Sequence, residues 1–185
     1  MRPLSQVADL PLTLHKPSWK SGVHELRAGE ETIGTLDVSL WSGGSVATVA
    51  DHSWRFERPR GFLRRSVRVL AGIDDGLELG CYSGGGLGGR GGLLELSERD
   101  YELHARGFFK PRWSWSAGGR ELAAFTAGAG LGELKGRFEL TDDGRLSPDA
   151  PLLLLLGAHL ALLSQRESAA AGGAAAAGAS AAASG

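Results

Sequence analysis

Pro151-Leu152-Leu153-Leu154-Leu155-Leu156-Gly157-Ala158-His159-Leu160-Ala161-Leu162-Leu163 is a run with one polar side chain, His159, and its reading decides the fold. Proline opens it, and Asp149 two residues earlier is suited to capping, so the run predicts a helix near 151–164. Leucine and alanine favour that state, and no β-branched residue opposes it. The residues after Pro151 span about 18 Å, short of the roughly 30 Å hydrocarbon core of a bilayer, so no transmembrane segment is expected here. Leucines at 152–156, 160, 162 and 163 lie on all sides of the helix, and such a helix must be enclosed by protein. Gly157 and Ala161, one turn apart, would let a strand or an aromatic ring approach closely.

Everything upstream has a different rhythm. Short runs rich in β-branched and aromatic residues alternate with glycine-rich breakers, which predicts strands at 12–14, 23–28, 32–40, 45–51, 53–58, 63–70, 77–82, 92–96, 101–106, 113–116, 121–126 and 133–140. Alternation supports them: Trp54 and Phe56 share a face opposite Arg55, Val67 and Val69 oppose Arg68, and Trp113 and Trp115 point the same way. Asp74-Asp75-Gly76 and Asp142-Asp143-Gly144 suggest tight turns. Downstream, residues 168–185 are only alanine, glycine and serine, with nothing to dock. The expected organisation is an extension at 1–11, one mainly β domain at 12–166 and a disordered tail at 167–185.

Composition agrees. Glycine accounts for 29 of 185 residues without a period of three, which excludes collagen, and 42% apolar residues with five tryptophans exclude global disorder. The excess glycine is accounted for by many hairpins, a loop at 84–92 and the tail. Twenty basic and 21 acidic side chains leave a net charge of −1, so strong global attraction to nucleic acid is not expected. A lone Cys81 cannot form an internal disulfide, and the segment from Met1 to Pro11 lacks the continuous apolar stretch of a secretory signal. A cytoplasmic protein is expected.

Twelve short strands followed by one apolar helix resemble the tubby C-terminal-like superfamily, which includes tubby proteins, LURP-one-related proteins and phospholipid scramblases. Trp54-Arg55-Phe56-Glu57-Arg58, Gly92-Leu93-Leu94-Glu95-Leu96 with Tyr101-Glu102-Leu103, Trp113 to Ala123 and the Pro151 helix are similar to its bacterial members. The resemblance spans roughly residues 10 to 166. It implies a twelve-stranded antiparallel barrel enclosing the C-terminal apolar helix. The acylated cysteine cluster, proline-rich arm and acidic calcium-associated segment of scramblases have no counterpart, and no functional residue of the family is carried over.

Charge gives the most suggestive local feature. Residues 52–70 hold six arginines, Arg55, Arg58, Arg60, Arg64, Arg65 and Arg68, against Glu57, while residues 71–103 carry two arginines against seven acids. Two readings stay open. Adjacent strands could neutralise one another, or the arginines could form a patch for an anionic lipid head group, since guanidinium presents paired donors to phosphate. Other motifs fail on context. Gly86-Leu87-Gly88-Gly89-Arg90-Gly91 matches a dinucleotide fingerprint but precedes a strand, where a nucleotide site needs a helix. Asp51-His52-Ser53 places triad residue types next to one another on alternating faces. The five histidines lack zinc-site spacing, Cys81 has no companion that would activate a thiolate, and His159 is expected to be a neutral core histidine. Trp113 and Trp115, flanked by Lys110 and Arg112, combine aromatic and basic groups as single-strand binders do, but same-face strand aromatics read first as core. No catalytic residue, metal or cofactor is expected. The sequence points to a non-enzymatic binding or interaction module with an unidentified partner, or alternatively to a peripheral anionic-phospholipid binder at the membrane.

Overall fold

A computed structural model describes residues 4–18, 20–39, 43–50, 52–59, 66–73, 76–85, 91–107, 111–128 and 136–182. After a 3-10 turn at Leu4–Gln6, the chain forms β1 (Leu12–His15), β2 (Val23–Ala28), β3 (Glu31–Val38), β4 (Ser45–Val49), β5 (His52–Glu57) and β6 (Ser66–Ala71). It continues through β7 (Glu78–Gly84), β8 (Gly91–Leu96), β9 (Arg99–Arg106), β10 (Arg112–Ala117), β11 (Arg120–Ala127) and β12 (Gly136–Leu140), then α1 (Asp142–Leu146) and α2 (Ala150–Ala182). Each strand pairs antiparallel with its sequence neighbours, and β1 pairs with β12 through Leu12↔Phe138 and Leu14↔Gly136, closing a twelve-stranded barrel. The strand expectations match this order. Their segments 63–65 and 133–135 lie outside the described residues, as do Asp74 and Asp75 of the first expected turn.

Period-two alternation sorts the side chains. Trp54, Phe56, Val67, Val69, Trp113 and Trp115 are buried, while Arg55 and Arg68 face outward beside them. Phe125 and Phe138 pack with ring centroids 4.7 Å apart next to the closing seam.

Two sequence expectations need correction. Asp142-Asp143-Gly144 is not a hairpin turn but lies within α1. Thr141 caps that helix by accepting from the Gly144 N–H at 3.1 Å, and the two aspartates sit in its first turn, where the helix dipole favours negative charge. Gly144 is required there by close approach, because a Cβ would meet the Leu122 carbonyl. The second correction concerns the tail: the helix backbone of α2 does not stop near 164 but runs to Ala182. Alanine has the highest helix propensity, and extending an already anchored helix avoids the cost of nucleation.

Residues Leu152 to Leu162 of α2 are buried, and the helix packs against β3, β4, β10 and β11. Its start is fastened to β9: Asp149 accepts from the Tyr101 hydroxyl at 2.5 Å and from Arg99 at 3.0 Å. Its middle meets the wall twice. The His159 Nδ1 hydrogen-bonds with the Ser45 hydroxyl at 2.9 Å, and a Cβ on Gly157 would sit 3.0 Å from the Trp115 indole nitrogen. The sequence expectation that Gly157 admits an aromatic ring is met by that tryptophan. No helix among the described residues is long and apolar enough to cross a membrane.

Candidate binding groove

Antiparallel pairing of β5 with β6 and of β6 with β7 puts the basic and acidic stretches of the sequence side by side. Arg55 and Glu57 are two residues apart and share the outer face of β5, where the Arg55 Nε lies 2.9 Å from the Glu57 carboxylate. Glu57 pairs in register with Arg68, which donates to its other oxygen at 2.8 Å. The other arm of Arg68 reaches toward Glu78 on β7 at 3.9 Å. Arg58, just past β5, lies 3.0 Å from Glu167 on α2. Arg55 also donates to the Ile73 carbonyl at 3.1 Å.

These side chains border one concavity of about 880 Å³, lined by Arg55, Arg58, Arg68, Asp37 and Glu57 together with Ser45, Val46 and Phe56. Three of the six arginines singled out by sequence thus meet at one groove. Arg60, Arg64 and Arg65 lie outside the described residues. The sequence reading missed the counter-charges Asp37 and Glu167, because the first comes from β3 and the second from a helix about 100 positions away. Exposed pairs of this kind contribute about 0–1 kcal/mol each, so a ligand can open them at little cost.

Ser45 connects the groove to the core through His159. Burial holds the His159 imidazole down to about 3, with Arg166 and Arg58 adding repulsion, so the ring stays neutral at physiological pH. Its folded value lies below the ordinary 6.5, so the unfolded chain binds the proton first as pH falls. The stabilising contribution of the neutral ring is full above 6.5 and is lost as pH drops from 6.5 toward 3. In acid titrations followed by denaturant unfolding, His159→Leu should remove a slope of up to about 1.4 kcal/mol per pH unit across that window. An unchanged slope would mean that His159 is solvated.

The remaining sequence candidates fall into structural places. Trp113 and Trp115 are 7% and 2% exposed, which puts them in the core, away from any base. Gly91 begins β8, so a strand follows the glycine-rich fingerprint, whose residues 86–90 are outside the described set. His52 stacks on Trp54 at 5.9 Å, and Asp51 is not among the described residues. His24 hydrogen-bonds with the Gly22 carbonyl at 3.0 Å and is held below its ordinary value mainly by burial. Cys81 is half-buried in β7, and burial pushes its thiol up, which disfavours the thiolate.

No protein-family model, curated protein or solved structure matches the chain.

Proposed function

We propose that this chain is a non-enzymatic, tubby-like binding module of the cytoplasm, in which the barrel encloses α2 and the groove on β3 to β6 receives the partner. Enclosure is supported by the directions from which the wall meets the helix. Ser45 on β4 contacts His159 and Trp115 on β10 contacts Gly157, and these strands are six places apart in a ring of twelve. The order of strands and helix is the one the tubby resemblance implies. Ser45 and His159 could suggest a nucleophile and its base, but the physical chemistry favours a structural pair. A general base works best with a pKa near the operating pH, whereas His159 sits at about 3, and its Nε2 has no hydrogen-bond partner to stabilise an imidazolium.

The observation that carries the binding role is the convergence of Arg55, Arg58 and Arg68 on one open groove together with Asp37 and Glu57. Mixed charge suits a polar protein segment, which can replace the internal ion pairs with its own. A second reading, anionic-phospholipid binding, is favoured by the place of Arg58 in the lining of the groove, with Arg60, Arg64 and Arg65 following it in the sequence. One experiment separates them. Wild type and an Arg55→Ala/Arg68→Ala variant are titrated with an acidic peptide and sedimented with neutral and phosphoinositide-containing vesicles. The protein-partner reading expects salt-sensitive peptide binding that weakens about tenfold in the variant, as loss of one or two charge-assisted contacts implies, with equal background on both vesicles. Binding to phosphoinositide vesicles alone would transfer the groove to lipid. Binding to neither would remove its role.

A further inference from the structure

Residues 4–10, part of the extension expected from the sequence, pack into the molecule. Leu4 and Val7 are buried with the core, and Asp9 pairs with Arg145 of α1. Between this segment and the barrel lies a second cavity, of about 160 Å³. It sits at the ends of β4 and β5 opposite to the groove: its wall includes Val49, the last residue of β4, and His52, the first of β5, whereas the groove uses Ser45 and Arg58. Leu140 at the end of β12 and residues of the chain from Arg145 to Pro151, where α1 passes into α2, complete the wall. Every lining residue is among the described ones.

The room has a simple origin. Ala8, Ala50 and Ala150 come from three separate segments, and each brings only a methyl group to the same space. A cavity of about 150 Å³ with aliphatic walls holds a benzene-sized molecule, so this one has room for a ring-sized apolar body. Eight of the eleven lining residues are apolar, which suits such a body; His52, Arg145 and Ser147 are the candidates for a polar handle. His52 stacks on Trp54, and Ser147 is engaged with the Asp149 N–H and the Tyr101 hydroxyl, so the handle falls to Arg145. Its Nη1 is taken by Asp9, whereas its Nε–H is buried and has no hydrogen-bond partner. A donor withdrawn from water without an acceptor is costly, and an oxygen brought by a ligand would satisfy it.

We propose that this cavity binds a small neutral carbonyl compound, its apolar body against Leu4, Val49 and Leu140 and its oxygen accepting from the Arg145 Nε–H. Charge decides for a neutral oxygen over a carboxylate. Asp9 already balances the guanidinium, and Asp142 and Asp143 stand in the same short helix with Arg120 as their counter-charge, so carboxylates outnumber cations three to two before any ligand arrives. A second anion on Arg145 would meet that surplus as repulsion. The Arg145 side chain is 36% exposed, so the cavity borders solvent at its polar end. Neither Arg55 nor Arg68 lines it, and ligand binding here succeeds or fails apart from partner binding in the groove.

The test uses acetophenone as the probe, with benzoate as an anion of similar size and toluene as a similar body without an acceptor. Saturation-transfer NMR titrations on the full chain give the three dissociation constants. Wild type should bind acetophenone about tenfold more tightly than toluene, as one hydrogen bond from a charged donor implies, and should bind benzoate more weakly than acetophenone. Ala8→Leu fills the cavity from the N-terminal segment and should abolish binding of all three, with circular dichroism checking that the variant is folded. Arg145→Met keeps the bulk of the side chain and removes the donor. In that variant acetophenone should fall to the affinity of toluene while toluene binds as before, a split that separates a lost hydrogen bond from a disturbed cavity. Absence of acetophenone binding by wild type would overturn the proposal. So would benzoate binding as tight as that of acetophenone, a signal retained in folded Ala8→Leu, or an acetophenone preference that survives Arg145→Met.

Discussion

Leu154→Asp should abolish the cooperative unfolding transition, leaving a chain that shows no protected core in hydrogen exchange and no sharp melting by circular dichroism. Leu154 is 2% exposed and is flanked along α2 by buried leucines. An aspartate there would have to ionise without a partner or fold as the neutral acid, and either cost falls on top of the lost apolar contact. A Leu→Ala change at such a site costs about 2–5 kcal/mol by itself, while whole domains are stable by only about 5–15 kcal/mol. Leu154→Ala therefore serves as the graded control: destabilised by that amount, still two-state. A Leu154→Asp protein with wild-type melting would mean that this side of α2 is wet, and the proposed enclosure would fall with it.

Gly80→Val tests the wall of the barrel in the same way. Gly80 lies in β7 between Val69 of β6 and Leu96 of β8, next to the register shift of the β6–β7 pair. A Cβ there would collide with the carbonyl oxygen of Glu95, and it would come within 2.9 Å of the Leu96 side chain. The first obstacle is backbone and cannot rotate away, so β7 and β8 must separate. A loss of about 3 kcal/mol is expected in urea unfolding, at the upper end for overpacked sites. Gly85, immediately after β7, provides the contrast: its nearest obstacle is the Gly91 carbonyl at 3.5 Å, an ordinary contact. Gly85→Ala should change stability by less than about 0.5 kcal/mol. Equal effects at the two positions would show that chain entropy, not crowding, sets the cost.

What the sequence reveals of this molecule follows the range of the forces involved. Alternation within a strand is a local property, so Trp54 and Phe56 inside with Arg55 outside can be read directly from their spacing. The close approach at Gly157 is legible for a similar reason, since a missing side chain on an apolar helix face invites a neighbour. Cross-strand facts are a different matter. That Glu57 faces Arg68 depends on the register of β5 against β6, and a shift of one residue would have turned Arg68 to the other face. The pairing of Arg58 with Glu167 depends on how α2 is placed against β5, which no local pattern in either segment encodes. Asp142-Asp143-Gly144 carries the composition of a turn, and the cap from Thr141 and the contact of Gly144 with Leu122 decide for helix. The arginine stretch, Glu57 within it and the acids that follow it are conspicuous in the sequence, but Asp37 and Glu167 become visible only with the fold.

The pairing of β1 with β12 limits how other chains can meet this one. A ring of strands has no first or last member, so its ladder of backbone hydrogen bonds is complete around the circumference. Recognition by strand addition, in which an incoming peptide extends a sheet through its main chain, finds no vacant edge strand among the described residues. The same closure denies a template to edge-to-edge fibril growth while the ring is intact. Whatever docks here must be selected by the chemistry of side chains and of the two rims, and its specificity can then be rewritten by substitution without touching the hydrogen bonds that hold the wall.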